Sequence, residues 1–255
     1  MIEQLDIERF GAIARIVLNR SDAGNTIDEN LAEAFAEAAA QVASDGEVRV
    51  VVLTGAGSLF CGGGDVRAMA AAPDGASAVI DRITSNLHRG IVTLFEMSKP
   101  LVTVVNGPAA GAGLGLAILG DIVLASEAAH FTSAYTAIGM TPDGGTSWLL
   151  PRLIGLRRAQ EMVLTNRRIG AREAEAIGLV SRVVPASDLR SVEDEITTAL
   201  DRGAMAATGK ARWLLRTSYE RSLADHLAIE AQSIVQAASM PEGQAGIASF
   251  LNRRK

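Results

Sequence analysis

PLVTVVNGPAAGAGLGLAILGD, residues 100–121, decides how the rest of the chain reads. Leu101–Val105 is an unbroken apolar, β-branched run between Pro100 and Asn106-Gly107, the pattern of a buried strand. Residues 107–113 are glycine- and alanine-rich. Residues 114–119 continue with small and apolar side chains at helical spacing. A strand that opens through small residues onto a buried helix leaves unpaired backbone N–H groups at the helix start. Such donors suit an anion or a developing oxyanion.

Strands and helices alternate on either side. Residues 2–8 and 12–18 flank Arg9-Phe10-Gly11 and read as a hairpin. Thr26 and Glu29 fit a capping box ahead of a helix over residues 27–43. Residues 48–54 (VRVVVLT) form a second buried strand, followed by a second glycine loop, residues 55–64 (GAGSLFCGGG). Asp65 is placed to cap a helix over residues 66–72. After the break at residues 73–75, a long helix spans residues 78–97. Strand Ile122–Ser126, an extended stretch at 129–138 and the turn GMTPDGG (139–145) follow. Short helices at Thr146–Ile154, 158–165 and 171–177 and a strand at 179–184 complete this part. From residue 187 the chain reads as two or three helices, one starting at Pro241-Glu242. The alternation implies an α/β protein with a largely parallel sheet. Residues 1–186 read as its core and residues 187–255 as a helical assembly segment.

Composition narrows the function. The chain has 255 residues, 48% of them apolar, which argues against disorder. A net charge of −5 argues against nucleic acid or an anionic membrane as the main partner. The single cysteine, Cys61, rules out an internal disulfide and a cysteine-based metal cluster. With no apolar targeting or spanning segment in the pattern, the expected location is the cytoplasm.

Two glycine loops after two buried strands could emerge at one sheet edge, where open α/β sheets bind ligands. Each could then give one N–H to a shared oxygen. The plainer alternative is that the glycines serve tight turns and close packing. Neither loop satisfies the dinucleotide fingerprint, because Phe60 and Leu116 stand where its third small residue belongs.

These blocks resemble the crotonase superfamily, the enoyl-CoA hydratase/isomerase family. LFCGGGDV (59–66) is similar to its F-C-A-G-A-D-L signature. Residues 99–126 are similar to its K-P-V-I-A-A-V-N-G-x-A-x-G-G-G segment. TPDGGTSWLLPRLIG (141–155) and AREAEAIGLVSRVVP (171–185) match two further blocks in order. The resemblance implies a spiral of ββα units, trimers or dimers of trimers assembled through the C-terminal helices, and an acyl-CoA thioester substrate. It implies no metal and no redox cofactor, coenzyme A entering only as part of the substrate. The motif match puts the oxyanion donors at the N–H groups of Gly64 and Ala112, with Gly62, Gly63, Asp65, Val66, Gly111 and Tyr135 around the substrate. Ala112 stands where relatives have glycine.

The same match puts Gly115 and Tyr135 where a hydratase of the family holds its two glutamates. One carboxylate remains, Asp143, in a Pro-Asp-Gly turn similar to that of the epoxyphenylacetyl-CoA isomerase and other enoyl-CoA isomerase branches. One base suffices for isomerisation. The plainer reading of Asp143 is a turn or helix-cap aspartate. The chlorobenzoyl-CoA dehalogenase branch has a nucleophilic aspartate at this position and a histidine aligned with His88. Taken alone, His88 reads as a helix-surface residue. Cys61 reads as a packing residue, and the basic residues after 209, among them Lys210, Arg212 and Arg216, as a solvated face. A hydratase using other groups, a nucleophilic Asp143 and a non-catalytic acyl-CoA binder remain as alternatives to the isomerase.

Overall fold

A computed structural model describes residues 4–252. Eleven α-helices and nine strands alternate among them. The main sheet runs β1 (Leu5–Phe10), β2 (Ile13–Leu18), β3 (Val50–Gly55), β4 (Leu101–Val105), β6 (Ile122–Ser126) and β9 (Arg182–Val184). Within this sheet only β1 and β2 pair antiparallel, and every other pairing is parallel. A small second sheet joins β5 (Ala109–Ala110), β7 (His130–Thr132) and β8 (Ile169–Gly170).

The parallel strands are buried on both faces, which explains their unbroken apolar runs. Alternate residues divide between the faces. Val51 and Leu53 join the core beneath α1 (Glu29–Ser44) and α3 (Ala76–Glu96). Val50, Val52, Val102 and Val104 meet Leu189, Val192, Ile196 and Leu200 of α8 (Leu189–Asp201).

Several boundaries differ from the sequence reading. Arg9 and Phe10 continue β1, and the turn falls at Gly11-Ala12. Asp28, not Thr26, caps α1 by accepting the Leu31 N–H at 2.9 Å. Thr26 instead gives its hydroxyl to the Ala23 carbonyl, so no capping box forms. After residue 187 there are four α-helices rather than two or three: α8, α9 (Met205–Arg216), α10 (Leu223–Ser239) and α11 (Pro241–Asn252). The first two belong to the core's packing. α8 covers one face of the sheet. Arg212 of α9 is buried, donating to the carbonyls of Leu94, Phe95 and Met97 and to Asp121, so it is not part of a solvated face. By contrast, α10 and α11 expose Leu223, Leu227, Ile234, Val235, Ile247 and Leu251. Among the described residues no helix is long and apolar enough to cross a membrane.

Candidate active site

β3 and β4 are parallel neighbours in register from Val51↔Leu101 to Thr54↔Val104. Their following loops therefore leave the sheet at the same edge. There they are stitched together. The N–H groups of Phe60 and Cys61 reach the Pro108 carbonyl at 3.1 and 3.3 Å, and the Ala110 N–H reaches the Cys61 carbonyl at 3.0 Å. Buried Asn25 braces the first loop, its amide donating to the carbonyls of Ala56, Leu59 and Phe60. Nothing in the sequence pattern marked Asn25 out from its polar turn.

The two candidate donors are presented by different means. Gly64 forms a parallel bridge with Ile27, in which Gly63 and Asp65 make the hydrogen bonds. The Gly64 N–H thus faces the opposite side. Ala112 is the first residue of α4 (Ala112–Ala117), so its N–H has no partner within the helix. Among the described residues neither N–H has a protein acceptor. The left-handed bend that aims this turn falls on Gly111, at φ 54°, which leaves Ala112 helical and free to carry its Cβ.

Gly64, Ala112, Tyr135 and Asp143 line one cavity of about 420 Å³. Its remaining wall includes Ile27, Met69, Ile83, Leu87 and Met140. Gly62, Gly63, Asp65, Val66 and Gly111 lie outside its lining. Asp65 is engaged elsewhere: Oδ1 caps α2 (Val66–Ala71) through the N–H groups of Arg67 and Ala68, and Oδ2 meets Arg20 at 2.6 Å. Burial alone would raise its carboxyl, but those N–H groups and the Arg20 guanidinium hold it below the usual carboxylate value. The Val66 side chain is exposed. Cys61 is fully buried, gives its thiol to the Asn25 carbonyl, and has its pKa pushed up to about 12 by burial. A thiol so held is a packing group.

Asp143 neither caps a helix nor closes a turn with its side chain. α5 (Thr146–Ile154) starts at Gly145, with no side-chain cap. The Asp143 backbone carbonyl accepts the Thr146 N–H at 3.1 Å and the Tyr135 hydroxyl at 3.1 Å, and these bonds pin the bend. Burial, with the Asp143 charge nearby, raises the Tyr135 phenol, so it stays protonated as a donor. The Asp143 carboxylate turns to α3, where His88 Nε2 lies 2.7 Å from Oδ1. Oδ2 has no protein partner among the described residues. His88 is on the helix surface, as its spacing suggested, yet it also touches the carboxylate. The bend can lie this close because residue 115 is glycine. A Cβ there would stand 2.2 Å from the Gly144 carbonyl oxygen. The space beside residue 115, where the resemblance put one of a hydratase's glutamates, is thus filled by main chain.

Among the described residues no group of three His, Cys, Asp or Glu could hold a metal ion. The arrangement can polarise one carbonyl oxygen with two N–H donors while a single carboxylate moves a proton beside it.

Known proteins resemble this chain over nearly its whole length. Residues 8–255 match the family described as Enoyl-CoA hydratase/isomerase. A Rhodobacter capsulatus protein named "Probable enoyl-CoA hydratase" is 34% identical over 242 residues, covering 95% of this chain and 92% of that protein. The 1,2-epoxyphenylacetyl-CoA isomerase of Escherichia coli is 30% identical over 243 residues, covering 95% and 93%. The crystal structure of an enoyl-CoA hydratase from Polaromonas sp. JS666 superposes with a TM-score of 0.92 at 30% identity, covering 98% of this chain and 97% of that one.

Proposed function

The chain belongs to the enoyl-CoA hydratase/isomerase family, and from that premise we propose that it is an acyl-CoA isomerase working through an oxyanion-stabilised enolate. Oδ2 of Asp143 takes the proton from the carbon next to the thioester carbonyl. The electron pair left behind moves onto the thioester oxygen, which rests on the N–H groups of Gly64 and Ala112. The same carboxylic acid returns the proton at the γ-carbon, and the double bond ends in conjugation with the carbonyl. His88 is a positioning residue that holds Oδ1 and so aims Oδ2. Removing one donor from such a hole typically costs about 3–4 kcal/mol of transition-state stabilisation.

The observation that carries this reading is the single carboxylate facing the cavity. A two-carboxylate hydration has nowhere to seat its pair, since Gly144 fills the space beside Gly115 and Tyr135 is a neutral donor. The test is to follow conjugation of a β,γ-enoyl-CoA by ultraviolet absorbance. Wild type converts it and Asp143→Asn does not. Water addition to an α,β-enoyl-CoA that survives Asp143→Asn would point instead to a hydratase using other groups.

The His88–Asp143 contact favours one second reading, in which Asp143 is a nucleophile and His88 activates the water that releases it. A covalent adduct on Asp143 that accumulates in His88→Ala, seen by intact-protein mass spectrometry, is its signature. We also propose homotrimeric or dimer-of-trimers assembly, in which a second copy covers the apolar side chains exposed on α10 and α11.

A further inference from the structure

We infer that the substrate carries an uncharged, flexible, medium-length aliphatic acyl group laid along α3. The inference rests on the cavity being the acyl-CoA site of the reading above. Ile80, Ile83, Thr84 and Leu87 line the cavity at the i, i+3, i+4, i+7 spacing of one helix face. The catalytic end of this stripe is known, because His88, next to Leu87, touches Asp143. Ile80 marks the far end. Seven residues of helix separate Ile80 from Leu87, an axial run of about 10 Å at ~1.5 Å per residue. An extended chain advances about 1.2 Å per bond, from the same geometry that gives ~3.6 Å per three-bond residue. The stripe therefore matches an acyl chain of about eight carbons, by that arithmetic. The volume, about 420 Å³, falls near the low end of small-molecule sites.

Chemistry along the stripe excludes a charged tail. No lysine or arginine lines the cavity, and its one carboxylate is Asp143. The nearest turn's cation, Arg82, is paired with Glu29 and Asp74. Thr84 gives its hydroxyl to the Asp81 carbonyl, leaving no free donor along the stripe. A terminal carboxylate at the Ile80 end would be desolvated with nothing to pair it. The thioether side chains of Met69 and Met140 adapt to a mobile chain better than to one rigid ring.

Saturated acyl-CoAs, which cannot react, test this by calorimetric titration against wild-type protein. Affinity should rise about 4-fold per added methylene up to about eight carbons, because each buried CH₂ contributes ~0.8 kcal/mol, and then level off. An octanoyl-CoA bearing a terminal carboxylate should bind at least ~100-fold more weakly than octanoyl-CoA itself. Ile80→Phe should move the plateau to shorter chains. Equal affinity across chain lengths, preference for the carboxylate-ended ester, or preference for benzoyl-CoA over octanoyl-CoA would overturn the inference. The titration needs no turnover. An affinity ladder without isomerisation would sink the isomerase alone, and turnover without the ladder would sink only the assignment of the acyl group.

Discussion

Two bends border the cavity, residues 62–65 and residues 141–145, and each ends in or contains an aspartate with an opposite fate. After Asp65 comes a helix at once. The free N–H groups of Arg67 and Ala68 capture Oδ1, and Arg20 takes Oδ2. After Asp143 come two glycines with φ of 60° and 78°, and the second of them occupies the start of α5. That helix does not recruit the carboxylate, which remains at the cavity with one oxygen on His88. Two aspartates of similar setting are thus separated by what the next two residues do with the backbone. One aspartate is architecture and the other is available for chemistry.

Substitutions at the two aspartates and around them test this contrast. The largest effect belongs to Asp143→Asn, which should lower kcat for isomerisation by about 10²–10⁴-fold, the usual worth of a positioned acid/base, with the melting temperature unchanged. If Asp65→Asn lost activity to the same degree at unchanged stability, the contrast would be wrong.

Gly115→Glu tests whether the bend excludes a second carboxylate. Its Cβ must displace the Gly144 carbonyl, so isomerase activity should collapse without hydratase activity appearing. Gly115→Ala should cost about 1–3 kcal/mol of stability in chemical denaturation from overpacking.

His88→Ala should lower kcat by about 10-fold or more as general-base alignment is lost, with KM little changed. His88→Gln, which keeps an N–H donor on this side of the helix, should recover part of the loss. Loss of KM and melting temperature together would mark His88 as merely structural.

The smallest catalytic effect is expected at Asp65. Asp65→Asn should keep kcat within a few-fold while lowering stability by about 1–2 kcal/mol through the weakened cap and the lost ion pair. The Asp65 carboxyl lies below its ordinary value in the folded state. Its stabilisation is therefore present above the unfolded-state pKa and is lost as pH falls through the folded one. The stability gap between wild type and Asp65→Asn should accordingly be full at neutral pH and close on acidification below the ordinary carboxylate range. A gap that widens in acid would contradict the assigned direction.

Most of the scaffold was legible in the chain. β4 and β6 and helix α5 begin and end where their apolar runs do, because buried parallel strands and amphipathic helices write their period into sequence. The shared sheet edge of the two glycine loops followed from the strand–loop pattern once β3 and β4 were paired. What was hidden depended on distance across the fold. His88 and Asp143 are 55 residues apart, and only the packing of α3 against the 141–145 bend joins them. Asp28 displaced Thr26 as the cap of α1 because Thr26 is drawn into the Arg20–Asp65 cluster. The helices after residue 187 read as one appendage, yet α8 is a sheet cover, since its apolar face and that of an assembly helix have the same period.

The most direct test of the central claim is one turnover experiment in heavy-oxygen water containing deuterium. Wild-type protein is given a medium-chain β,γ-enoyl-CoA, and product and protein are both read by mass spectrometry. The expected product is a conjugated enoyl-CoA with any deuterium confined to the α- and γ-carbons and no heavy oxygen in product or protein. Heavy oxygen on the acyl chain would mean hydration, and heavy oxygen in the Asp143 carboxylate would mean nucleophilic attack; either would contradict a lone acid/base.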